Sequence, residues 1–131
     1  MPARDSFEAA VLRVVPRVER EEFINVGVVL FCQARRFLGA LVALDRPRLA
    51  ALAPGMVDLD EVQQHLEHIR LVCEGAAAAG PIGQLSQAER FHWLVAPRST
   101  IIQVSAAHSG LSDDPAQTLK HLMETMVLLP K

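Results

Sequence analysis

Two hydrophobic periodicities divide the chain. From Phe7 to Val18, charged and apolar residues alternate in the manner of a strand, with Val11, Arg13, Val15 and Arg17 pointing one way and Leu12, Val14, Pro16 and Val18 the other. Pro16 suits an edge, a bulge or the strand's exit. Ile24 to Cys32 is apolar throughout except for Asn25 near its start, and Phe37 to Leu44 is a third apolar run. The connections, Glu19 to Glu22 and Gln33 to Arg36, are short and polar. Three such runs predict an antiparallel meander. Gly27 inside the second run points to a bulge or to a close approach by another backbone.

After Leu44 the period changes. Asp45 can cap a short helix from Pro47 to Ala53, which Pro54-Gly55 stops. Asp58 or Asp60 can start a longer helix reaching about Cys73, with Val62, Leu66, Ile69 and Cys73 as its apolar stripe. Ala76 to Gly83 reads as a frayed helix end or loop. Ser86 followed by Glu89 is a capping-box pattern for a helix carrying Phe91, Trp93 and Leu94, ended by Pro97. Thr100 to Ser105 reads as a fourth strand. Asp113 or Asp114, with Pro115, opens a last helix that turns Leu119, Leu122, Met123 and Met126 inward.

The order β-β-β-α-α-α-β-α predicts an α+β fold: a mostly antiparallel sheet of about four strands packed with helices, as a single domain over residues 1–131. Strands two and three are apolar on both faces. Strict alternation puts Val26, Val28, Leu30 and Cys32 on one face, continued by Leu38, Val42 and Leu44. It puts Gly27, Val29 and Phe31 on the other, continued by Phe37 and Leu41. Leaving such a face bare costs about 25 cal/mol per Å². The expectation is therefore a homodimer or another protein partner covering it.

Composition narrows the function classes. The net charge is −2 and the pI about 6.2, which disfavours a uniformly basic nucleic-acid binder. Tyrosine is absent and there is one tryptophan, against extensive base stacking. No apolar run approaches the roughly 20 residues that span a bilayer. Met1 to Ser6 has no apolar core behind its charge, so no secretory signal is expected and the protein is expected in the cytoplasm. Cys32 and Cys73 then read as reduced, buried core thiols.

Two polar clusters stand out. Arg13, Arg17, Glu19, Glu22 and Asn25 surround the first hairpin, where arginine and glutamate can pair, orient Asn25 and form a pocket for an anion or a peptide group. The simpler reading is a set of surface ion pairs, each worth roughly 0–1 kcal/mol. The second cluster runs from Ala96 to Ser105 and on to His108-Ser109-Gly110. In it Arg98, Ser99 and Thr100 can bind phosphate or carboxylate, although the glycine-rich approach of a P-loop is missing. Ser105 and His108 have the residue types of a nucleophile and base, without a Gly-x-Ser-x-Gly elbow. Turn chemistry accounts for the same residues. Glu61, His65 and His68 share a helix side, but no His-Glu-x-x-His or Cys-x-x-Cys accompanies them, so no metal site and no cofactor is expected.

The run from Arg13 through Glu22-Phe23, Asn25-Val-Gly-Val-Val-Leu-Phe31 resembles a bacterial family of unknown function, numbered 3037. The resemblance continues through Phe37-Leu-Gly-Ala40, Asp45-x-x-Arg48-Leu49, Glu89-Arg90-Phe91-x-Trp93-Leu94, Ala96-Pro-Arg-Ser-Thr-Ile-Ile-Gln103 and His108-Ser-Gly-Leu111. It covers most of the chain. The resemblance implies no activity and no catalytic residues. It implies an accessory or regulatory partner of a HipA-type kinase-like protein.

The residues and the resemblance together predict a small binding or accessory module. Its candidate ligand-binding residues are Arg13, Arg17, Glu22, Asn25, Arg90, Arg98, Thr100 and Gln103, with an anionic ligand near Arg13 and Arg98. The alternative is a small enzyme acting on a phosphate-containing or nucleic-acid substrate, which needs acids, hydroxyls or a metal converging on that region. A DNA-binding regulator is a third reading, disfavoured by the missing helix-turn-helix and the scarcity of basic surface.

Overall fold

The computed structural model describes residues 3–97 and 101–129. Five strands, β1 (Asp5–Val14), β2 (Ile24–Cys32), β3 (Phe37–Val42), β4 (Ile102–Val104) and β5 (His108–Ser112), form one antiparallel sheet. Its order is β3-β2-β1, with β4 and β5 lying end to end along the far edge of β1. The helices are α1 (Arg46–Leu52), α2 (Leu59–Glu74), α3 (Gln87–Val95) and α4 (Pro115–Met126). The fold is α+β, and the three-strand meander with a fourth strand in the same sheet is present. β5, over residues the sequence placed in a polar cluster and in no strand, is an addition.

The helices begin where the sequence placed their caps. The Asp45 side chain accepts from Arg48 N–H, Asp58 from Asp60 and Glu61 N–H, and Asp114 from Gln117 N–H. Ser86 and Glu89 complete the capping box of α3. Each cap satisfies backbone donors that the first helical turn leaves open.

The faces of β2 differ from strict alternation. Leu12 pairs with Gly27 but Arg13 pairs with Asn25, so Val26 is the extra residue of a β-bulge. Val26 therefore joins Val29 and Phe31 on the side of α2 and α3, not Val28, Leu30 and Cys32 on the side of α4. β3 also differs. The four-residue turn pairs Cys32 with Phe37, which puts Phe37 on the α4 side and Leu38, Ala40, Val42 and Leu44 on the other. Gly27 is required here: a Cβ would lie 2.7 Å from the Leu41 carbonyl oxygen and 3.0 Å from Leu12 Cδ1.

Both sheet faces are covered by the chain's own helices. Val62, Leu66, Phe91 and Leu94 close one face, and Leu119, Met123 and Val127 close the other. The expectation that a second copy is needed to hide a bare sheet face thus loses its premise. Cys32 and Cys73 are buried free thiols on opposite sides of the sheet. Among the described residues, no helix is long and apolar enough to cross a membrane.

Candidate functional site

The bulge puts Asn25 on the face that alternation along β1 gives Arg13. Leu12, Val14, Ile24 and Val26 point to the α2/α3 core, so Arg13 and Asn25 point to the opposite face. Gln103 pairs with Arg13 from β4. Gln103, Arg13 and Asn25 thus form a row across three adjacent strands, on the α4 face, at the end of the sheet where the α4 C-terminus stops. Beside this row lies an open cleft of about 410 Å³ lined by Arg13, Val15, Val18, Glu21, Phe23 and Gln103.

Arg13 holds the centre. Its guanidinium carbon lies 4.2 Å from the centroid of the Phe23 ring, a cation–π contact. Its Nε is buried without a hydrogen-bond partner, and among the described residues no carboxylate forms an ion pair with it. Arg13 is also one of the residues that line the cleft. A buried donor left unmade costs about 1–3 kcal/mol, whereas a cation–π contact returns about 0.5–2 kcal/mol. The cation–π contact therefore offsets part or all of the cost of the unbonded Nε.

Asn25 is the second group with unused capacity. Its Nδ2 donates to the Met126 carbonyl over 3.1 Å. Only the NH₂ end of an amide can make that bond, so the amide orientation is fixed and Oδ1 is the atom left buried without a partner. Asn25 also borders a neighbouring cleft of about 250 Å³ shared with Asp45, Arg48 and Leu128.

The remaining sequence candidates are dispersed. Arg17 pairs with Glu19 at 3.8 Å and Arg20 with Glu22, both in exposed positions. Arg17 and Glu22 line a separate cleft between the hairpin end and α1, bordered by Leu52 and Met56. Arg90 belongs to the other side of the sheet and is 9% exposed. Its Nη1 donates to the Val72 and Cys73 carbonyls, each at 2.8 Å, and its Nε to Leu85 O at 3.0 Å. It thereby caps the C-terminus of α2, where a cation meets the negative end of the helix dipole. Arg98 and Thr100, with Ser99, lie outside the described residues.

The Ser105–His108 pair does not form a nucleophile and base. Ser105 Oγ accepts from Val11 N–H at 2.9 Å and donates to Ala106 O at 3.0 Å, so its hydroxyl replaces a missing link in the sheet ladder. His108 is exposed on β5. His68 meets the edge of Trp93, and among the described residues no three metal-ligating side chains come together. Sequence reasoning missed Val15, Val18, Glu21 and Phe23 as cleft residues. Phe23, one aromatic at the end of a polar connection, was the available signal.

Fold and site define a small α+β protein with a polar row at one end of an otherwise apolar sheet face. Its family is that described as "Protein of unknown function (DUF3037)", to which the chain belongs by a match over residues 10–127. No curated protein and no solved structure matches it.

Proposed function

We propose that the chain is a binding and accessory module whose contact site is the cleft beside Gln103, Arg13 and Asn25, and that the group it receives is an acceptor-bearing, anionic one. The observation that supports this reading is Arg13, a partly buried arginine with a covered, unbonded Nε and no ion-pair partner among the described residues. An arginine kept this way on an apolar sheet is more useful to a ligand than to the fold, because no carboxylate among the described residues pairs with its charge. The family resemblance adds a HipA-type kinase-like protein as the partner that the module regulates. Exposed Leu128 and Leu129, next to Asn25, supply apolar surface at the rim of the same region.

The test is a binding measurement between the purified chain and a purified HipA-type kinase-like protein from the same source, made with the wild type and with Arg13→Met. Methionine keeps the apolar stem under Phe23 and removes the charge. A complex that weakens at least tenfold in the variant, with unchanged thermal stability, supports the reading. A complex of equal strength in both proteins removes Arg13 from the contact site.

A further inference from the structure

The cleft carries two opposite charges that do not meet. Arg13 and Glu21 line the same space of about 410 Å³, yet the ion pairs among the described residues engage Arg17, Arg20, Arg35, Arg46 and Arg70 and leave these two apart. The same cleft is lined by the apolar residues Val15, Val18 and Phe23. Val18 and Phe23 are 53% and 44% exposed, so the cleft offers apolar surface to a ligand. Glu21 is held at a left-handed φ of 56°, a conformation that favours glycine or asparagine over glutamate. Its N–H closes the turn Val18–Arg20 by donating to the Val18 carbonyl, and the residue lines the cleft.

Resting on the reading that this cleft is a binding site, we propose that its ligand is a free α-amino acid with an apolar side chain. The two terminal nitrogens of Arg13 match a planar carboxylate in bidentate fashion. Glu21 receives the α-ammonium, and Val15, Val18 and Phe23 receive the side chain. A gap between the two protein charges is what this arrangement needs, because the ligand's own charges stand between them. Inorganic phosphate suits the cleft less well: the lining holds one positive and one negative side chain, so a second negative charge finds no partner and faces Glu21. The volume lies within the usual range for small-molecule sites of about 300–1,000 Å³.

Titration of the full chain, followed by amide chemical shifts, tests this with four probes: L-leucine, N-acetyl-L-leucine, L-leucinamide and inorganic phosphate. Leucine is expected to bind at least tenfold more tightly than either blocked form and than phosphate, with shifts at residues 13–23 and 103. Arg13→Met is expected to abolish the preference for leucine over leucinamide. Glu21→Asn, which removes the charge but suits the left-handed backbone, is expected to abolish the preference over N-acetyl-leucine while keeping the fold. Equal binding of leucine and N-acetyl-leucine overturns the proposal, as does tighter binding of phosphate or binding of no probe. The broader reading is judged separately, by whether Arg13→Met weakens the protein complex.

Discussion

Replacing Arg90 by methionine separates a structural arginine from the site arginine. Arg90 sits in the core at the junction of α2 and α3 and donates to three backbone carbonyls, those of Val72, Cys73 and Leu85. Methionine keeps most of the apolar stem, so the loss is the hydrogen bonding. Val72 O retains a second partner, because Gly75 N–H reaches it at 3.1 Å in the Schellman turn that ends α2. Cys73 O and Leu85 O lose the charged donor. Two under-satisfied acceptors at about 1–3 kcal/mol each, less some relief from desolvating no cation, predict a loss of about 3 kcal/mol. With an unfolding entropy of about 2.1 cal/mol/K per residue, that is a fall in Tm of about 10 °C. Urea unfolding with a global fit of the midpoint and slope is the assay. Arg90→Lys, which can replace one bond but not the fork, should recover part of the loss. A loss below 1 kcal/mol for Arg90→Met would refute the capping role, and a loss of ligand binding at unchanged stability would return Arg90 to the site.

Gly27→Ala should destabilise by about 1–3 kcal/mol in the same unfolding assay, because its Cβ meets a backbone oxygen that cannot rotate away; a neutral result would show that the bulge relaxes. Cys73 gives a pH dependence. Burial pushes its thiol up to about 12, well above the ordinary thiol range, with Arg90 opposing and Glu74 reinforcing the shift. The unfolded thiol therefore releases its proton first as pH rises, so stability is full below about pH 9 and declines above it, by up to about 1.4 kcal/mol per pH unit. Cys73→Ala should flatten the stability profile between pH 9 and 10.5 relative to the wild type, and parallel profiles would show that other groups carry the alkaline loss.

Much of the fold was legible because its signals are local. A capping box needs only Ser86 and Glu89, a helix start only Asp114 and Pro115, and a meander only apolar runs between short polar turns. The sequence also carries the pairing of Arg13 with the residues around Asn25, since hairpin neighbours are close in the chain. Long-range geometry was decided elsewhere. One bulged residue, Val26, moved from one core to the other, and with it Asn25 came to face α4 beside Arg13. Alternation counts residues but does not know where a partner strand skips one. The chain's own helices cover both faces of the sheet because α4 returns from beyond β5, a placement no local pattern records. Local sequence does not tell Arg90 from Arg13 as sites, although Arg90 stands between Glu89 and Phe91 and Arg13 between Leu12 and Val14. Only the tertiary structure sets three carbonyls around one and an aromatic ring, an open cleft and an unmatched carboxylate beside the other.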